Sequence, residues 1–144
     1  MTDITFEIIN HNSPEYLEAV KLREAILRKP LGLTFSAEEL EVEQDHVHIV
    51  GLKGNEVIST AVLVPEGKNY RMQRVVVKEN LQDSGIGSKM MKFCEEYAKN
   101  NGIYSIYCHA RNSAVNFYLK NAWIAEGDYF DEDTIPHLKM RKIL

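Results

Sequence analysis

Two glycines at the mouth of a helix are the residues in this chain best placed for chemistry. The stretch Arg74-Val75-Val76-Val77-Lys78-Glu79-Asn80-Leu81-Gln82-Asp83-Ser84-Gly85-Ile86-Gly87-Ser88-Lys89 runs an apolar strand into a short loop. The loop opens a helix striped with Ile86, Met90, Phe93, Cys94 and Tyr97. The first amides of a helix have no partner inside it and lie at the positive end of its dipole, so they bind phosphate readily. Glycine lets a ligand come close to the backbone, and a tight strand-to-helix turn also calls for it. The spacing excludes two common nucleotide loops. A dinucleotide fingerprint needs glycine or alanine where Met90 stands and an acidic residue where Cys108 and His109 stand. A mononucleotide loop needs lysine and then serine or threonine directly after its last glycine, but Gly87 is followed by Ser88-Lys89.

Other reactive side chains have plainer readings. Cys108 and His109 close a strand; Cys108 reads as a small buried hydrophobe, although a cysteine can carry an acyl group. Tyr118 shares a helix with Ala114 and Val115, which by itself describes a half-buried aromatic on an apolar face. His46 and His48 alternate on one strand as a metal pair would, yet no third ligand accompanies them, so they read as solvated strand histidines. The acidic runs Glu38-Glu39-Glu41-Glu43-Asp45 and Asp128-Asp131-Glu132-Asp133 read as wet surface able to attract a cationic amine. Cys94 and Cys108 are too few and too far apart for a disulfide scaffold or a zinc site, so no metal is expected.

The elements that position these residues follow from periodicity and turn chemistry. Ile4, Phe6 and Ile8 alternate with polar residues as in a half-buried strand. Ser13-Pro14 starts a helix whose apolar side is Tyr16, Leu17, Val20 and Leu27, and Pro30 to Gly32 ends it. Ser36 and Glu39 have capping-box spacing and begin a second, shorter helix. From His46 to Val77, valine- and isoleucine-rich runs broken by Lys53-Gly54-Asn55 and Pro65-Glu66-Gly67 predict a three-stranded antiparallel meander. A helix over about 84–101, a strand over 103–109, a helix over about 112–121 with Asn112 as its cap, and strands near 123–130 and 137–143 complete the order β-α-α-β-β-β-α-β-α-β-β. This predicts an α/β (α+β) fold with a central mixed, mostly antiparallel sheet of about seven strands flanked by about four helices.

Composition narrows the function classes. A length of 144 residues with 44% apolar and 26% charged residues fits one globular domain, 1–144, and excludes bulk disorder. The 17 basic and 21 acidic residues give a net charge of −4, which argues against nucleic acid as the main partner. No apolar run approaches the ~20 residues that cross a bilayer, and the opening Met1-Thr2-Asp3-Ile4-Thr5-Phe6 lacks a positive segment followed by an apolar one. A cytoplasmic protein without a membrane partner is expected.

The motif Gln82-x-x-Gly85-x-Gly87 after a valine-rich strand resembles the acetyl-CoA pyrophosphate loop of GNAT superfamily N-acetyltransferases, whose pattern is Arg/Gln-x-x-Gly-x-Gly/Ala. The segment Ala114-Val115-Asn116-Phe117-Tyr118-Leu119-Lys120-Asn121-Ala122-Trp123 is similar to that family's Ala-Ile-x-Phe-Tyr-x-x-x-Gly-Phe. The ending Ile135-Pro136-His137-Leu138-x-Met140 is similar to that of its small, single-domain ElaA-like bacterial members. The element order agrees with the family's fold over nearly the whole chain and is least specific before His46.

The resemblance implies an acyltransferase that moves the acetyl group of acetyl-CoA to a primary amine of a small molecule or peptide by direct nucleophilic attack. It implies that backbone groups of Gln82, Asp83, Ser84, Gly85, Ile86, Gly87 and Ser88 hold the pyrophosphate and that Val75, Val76 and Val77 pair with the pantetheine arm. Phe117, Arg111 and Asn112 would complete the coenzyme A site; Arg111 stands where the family often has asparagine, and its fork of donors suits phosphate. Asp83 stands where glycine is common, and a carboxylate there must point away from pyrophosphate. Tyr118 would protonate the departing thiolate as general acid. Many members carry a glutamate base on the strand before the loop, where this chain reads Arg71-Met72-Gln73-Arg74, so His109 is the candidate base and a strand-end structural histidine its alternative. Arg23, Arg28 and His137 could face the acceptor, and homodimers are common in the family. The competing expectation is a non-catalytic acyl-CoA-binding or regulatory module, suggested by the missing glutamate and by Asp83.

Overall fold

Alternating side chains and tight turns set the sheet. In the computed structural model, which describes residues 3–82 and 84–144, strands β1 (Ile4–Ile9), β2 (Val47–Lys53), β3 (Glu56–Glu66) and β4 (Asn69–Val77) form an antiparallel run. Gly54, at positive φ, allows the two-residue turn between β2 and β3. The chain then crosses through helix α3 (Ile86–Asn100) to β5 (Ser105–Arg111), which lies parallel to β4, and through helix α4 (Val115–Lys120) to the hairpin of β6 (Ile124–Glu132) and β7 (Ile135–Ile143). The sheet order is β1-β2-β3-β4-β5-β7-β6, a mixed and mostly antiparallel seven-stranded sheet as the sequence predicts.

Helix α3 carries a buried stripe of Ile86, Met90, Met91, Cys94 and Ala98 that packs on one sheet face with Leu63, Met72 and Ile106, while Trp123 and Tyr118 fill the end of the same core. On the other face lie α1 (Pro14–Arg23) and α2 (Ala37–Val42). Ser13 caps α1 by accepting a hydrogen bond from the Tyr16 amide, and Ser36 and Glu39 form a reciprocal capping box on α2. The buried stripe of α1 is Tyr16, Ala19, Val20 and Arg23, whose i, i+3, i+4, i+7 spacing fixes one face and leaves the expected core residue Leu17 54% exposed. Past Arg23 the chain widens into a π-helical turn, Glu24–Arg28, and tightens into a 3-10 turn, Lys29–Leu31, before Gly32 stops it.

Two expectations fail here for one reason: part of the acidic run turns inward. Glu43 is 1% exposed and takes both terminal nitrogens of buried Arg23 at 2.9 and 2.6 Å, with the Tyr16 hydroxyl donating to it at 2.9 Å. Burial alone would push the Glu43 carboxyl up, but these donors hold it below its ordinary range. His48 is likewise buried rather than solvated, with its Nε2 2.8 Å from the Glu43 carbonyl oxygen, and burial lowers its pKa. Next to this pair the Phe35 ring lies under three guanidiniums, those of Arg28, Arg23 and Arg74 at 4.1, 4.5 and 4.9 Å. Arg28 also clasps Glu39 through two hydrogen bonds.

Removing one partner of a buried pair strands the other, which costs about 3–5 kcal/mol. Glu43→Gln is expected to lower unfolding free energy by that order in urea titrations. Glu39 has its pKa lowered to about 2, chiefly by the Arg28 hydrogen bonds. A carboxylate lowered on folding stabilises the fold above its ordinary value of 4.5 and loses that contribution as pH falls toward about 2. Stability should fall across that window, and Glu39→Gln should remove part of the fall.

Candidate functional site

The site is an opening between two parallel strands. β4 and β5 pair only through Asn69, Tyr70 and Arg71 with Ser105, Ile106 and Tyr107, and then part company. Beyond Arg71 the β3-facing edge of β4 stays hydrogen-bonded while its other edge has no strand. A bulge marks the divergence: the β3 register slips by one residue between Thr60 and Val62, and Arg74 in β4 takes a φ of 56°. The resulting cleft holds about 620 Å³ and is lined by Val75, Val76 and Val77 on one wall and by Cys108, His109, Ala110 and Arg111 on the other. Phe117 and Tyr118 from α4 close one side, and Arg28 with Leu27 also lines the opening.

The glycine loop enters this cleft at the C-terminal end of β4. Gly85, at φ 85°, turns the chain into α3, and Gly85, Gly87, Ser88 and Gln82 all line the opening. Gly87 has a second duty. A Cβ there would lie 3.0 and 3.1 Å from the Phe117 ring, so glycine allows Phe117 to lie against the helix start. The Gln82 amide donates to the Val77 carbonyl oxygen at 3.0 Å, and the Ser84 hydroxyl donates to that of Leu81, so both side chains brace the loop. Ile86 is buried in the core, leaving only its backbone available to the cleft. Asp83 lies outside the described residues.

Tyr118 is buried, edge-on to Trp123 at 5.1 Å, with its hydroxyl beside Cys108. Burial first, and then the neighbouring thiol, push its pKa well above the usual phenol value, so it keeps its proton. Burial also pushes the Cys108 thiol up to about 12, which removes the thiolate that acyl capture needs.

Opposite Tyr118 is a cluster that sequence reasoning missed. Glu132, at the end of β6, lies 3.2 Å from His109 Nδ1 through one carboxylate oxygen and 3.5 Å from His137 Nε2 through the other. His137 Nδ1 is held at 2.7 Å by the Ile135 carbonyl oxygen. Arg71 Nη2 is also 3.2 Å from His109 Nδ1, so one ring nitrogen faces both a carboxylate and a guanidinium. A carboxylate thus reaches this part of the cleft from β6, three strand positions from β4 in the sheet order. Its only sequence signal was membership of an acidic run that otherwise reads as surface.

The expected roles of the second motif divide. Arg111 lines the cleft, but its Nη2 donates to the Leu27 carbonyl oxygen at 3.0 Å, tying β5 to the π-helical turn. Asn112 is exposed, lies outside the lining and makes no capping bond, because a 3-10 turn, Asn112–Ala114, precedes α4 and Ala114 takes the cap position. Of the residues suggested for the acceptor side, Arg28 and His137 line the cleft, whereas Arg23 is buried beneath it. Among the described residues no group of three His, Cys, Asp or Glu side chains could hold a metal ion, and no helix is long and apolar enough to cross a membrane.

A model of the acetyltransferase (GNAT) domain family matches residues 28–144, most of the chain. The chain belongs to the GNAT acetyltransferase family, and it is an acyltransferase. It is 26% identical to the Bacillus subtilis uncharacterized N-acetyltransferase YjcF over 94% of this chain and 97% of that protein. The crystal structure of Escherichia coli ElaA superposes with a TM-score of 0.82 at 23% identity, covering 97% of this chain and 99% of ElaA. An aminoglycoside 6'-N-acetyltransferase complexed with coenzyme A has the same fold at a TM-score of 0.82 and 15% identity, over 96% of each chain.

The contact of Gly87 with Phe117 is testable in this framework. Gly87→Ala should displace Phe117 and destabilise the protein by about 1–3 kcal/mol, as overpacking does. Combining it with Phe117→Leu should recover part of that loss in a double-mutant cycle read by thermal unfolding.

Proposed function

We propose that this GNAT enzyme, acting as one domain of residues 1–144, transfers the acetyl group of acetyl-CoA to a primary amine of a small molecule or peptide. The observation that carries the reading is the unpaired edge of β4 running into the amides of a helix start, with Tyr118 in the same cleft. The residues present fit the donor. The backbone of Val75 to Val77 offers main-chain hydrogen bonds to the amides of an extended pantetheine, as an added strand would. The amides of Gly85 to Ser88 suit pyrophosphate. When bound, acetyl-CoA supplies an activated acetyl group and a thiolate leaving group.

The chain's own side chains divide the proton work. Tyr118 retains its proton through burial and so stands as a neutral donor for the sulfur. His109 has the arrangement of a base when its Nδ1–H donates to Glu132, because Nε2 is then left with a lone pair to take the proton that the acceptor ammonium must lose before its nitrogen attacks. Glu132 orients the ring and offsets the charge that the imidazole gains. Glu132 is a positioning residue in this scheme, and Cys108, held as a thiol, has no part beyond packing beside Tyr118.

Two measurements test the reading. Acetyl-CoA should raise the thermal unfolding midpoint, by about 2.7 kcal/mol of stabilisation at a hundredfold excess over Kd, while ATP and NAD should not. Tyr118→Phe should keep that shift and lower kcat for thiol release about 100-fold. No shift with millimolar acetyl-CoA would overturn the donor assignment. A shift without turnover toward any amine would favour a non-catalytic binding module.

A further inference from the structure

More arginines than carboxylates line the cleft. Arg28, Arg71, Arg74 and Arg111 stand there with Glu132 and Asp133. The acidic run that could have attracted an ammonium is already committed, with Glu39 on Arg28 and Glu43 on Arg23. The four arginines are also unequal. Arg28 is neutralised by Glu39 at 2.8 Å, Arg74 lies 3.6 Å from Glu43 and 3.8 Å from Glu39, and Arg111 donates to the Leu27 carbonyl oxygen. Arg71 alone among them has neither a carboxylate nor a carbonyl partner among the described residues, and its buried Nε has no hydrogen-bond partner at all.

Among the described residues the one side-chain hydrogen bond of Arg71 is with His109 Nδ1. In the tautomer that makes His109 a base, that nitrogen carries a proton for Glu132, and two donors cannot bond each other. Arg71 is then a half-buried cation with no acceptor, which is costly unless a ligand supplies one. Coenzyme A phosphates are not that ligand. Arg71 is separated from Val77, at the loop end of β4, by six residues, or roughly 20 Å of strand.

We propose that the acceptor is an amine bearing a carboxylate close to it, in its simplest form an α-amino acid, with Arg71 binding the carboxylate beside the His109–Glu132 pair. This rests on the N-acetyltransferase reading above and adds the substrate class. Arg71 Nη2 and the Glu132 oxygen are each 3.2 Å from the same nitrogen, so they lie no farther apart than twice that distance. Within that limit one small molecule could offer its ammonium to the carboxylate side and its carboxylate to the guanidinium side. Arginine's planar fork can bind such a carboxylate through two parallel hydrogen bonds. The carboxylate also supplies the acceptor that Arg71 lacks.

The test uses the twenty L-amino acids and, paired with them where one exists, the amine lacking only the carboxylate, such as phenethylamine for phenylalanine and cadaverine for lysine. Free-thiol release is measured with acetyl-CoA for the wild type, Arg71→Gln and Arg71→Lys, each first checked for an unchanged thermal shift with acetyl-CoA. The expected result is at least one amino acid preferred over its paired amine by tenfold or more in kcat/KM. Arg71→Gln should raise KM for that amino acid at least tenfold with kcat within a few-fold, change kcat/KM for the paired amine by a clearly smaller factor, and be partly rescued by Arg71→Lys. Equal or better use of the plain amines, or a preference that survives Arg71→Gln, would overturn the proposal and leave the N-acetyltransferase reading standing. If none of these acceptors releases thiol, the carboxylate site is judged by thermal unfolding of the coenzyme A complex. A rise with an amino acid in the wild type that Arg71→Gln abolishes supports it, and no rise overturns it.

Discussion

Two parallel strands that pair for three residues and then separate are the constraint on which the rest of this structure depends. A sheet normally satisfies both edges of an internal strand, so an internal strand with one free edge must be held open by its surroundings. Here β3 holds β4 on one side, while β7 holds β5 on the other through seven paired positions. Neither strand can move to close the gap without breaking its other ladder. The bulge at Arg74 bends β4 just beyond the last pair with β5, and the cleft is the space left between them.

The cluster around Phe35 stabilises that bend from the outer side. Arg74 sits at the strained position and packs on Phe35, near Glu39 and Glu43, while Arg23 and Arg28 from the first helical segment pack on the same ring. One aromatic ring therefore joins the helical layer to the strand distortion that opens the site. From the opposite side, Arg111 at the end of β5 reaches the Leu27 carbonyl oxygen. This part of the cleft is thus fixed by contacts from both diverging strands to the π-helical turn and its neighbours, an irregular segment whose widened backbone is often found at functional sites.

Charge is organised differently inside the cleft and over the whole chain. The net charge is −4, yet the charged residues that line the cleft are mostly cations, while Glu39 and Glu43 are engaged by Arg28 and Arg23. Glu132 and Asp133 are the carboxylates that line it, and Glu132 joins two histidines from neighbouring strands. A carboxylate thus reaches the cleft from the far edge of the sheet. The hairpin register that puts His137 opposite both Phe130 and Arg111 brings β6 within reach of β5 residues across β7.

The sequence by itself determined the element order, the caps at Ser13 and Ser36, the two-residue turn at Gly54 and the glycine loop. These depend on contacts within a few residues, where side-chain type and spacing are the physics. It also located Tyr118 near the loop, because both belong to motifs of one family. Only the tertiary structure decided the remainder. Leu17 faces solvent because Arg23, four residues after Ala19, claims the buried stripe for its pair with Glu43. Glu43 and His48 are buried, since their partners lie on other elements and no local pattern marks a paired charge. Gly87 proves to be shaped by Phe117, thirty residues onward, as well as by any ligand. The meeting of Arg71, His109, Glu132 and His137 depends on strand order and register, which are set by how the whole sheet closes its hydrogen bonds and core, and those are long-range quantities that adjacent residues do not encode.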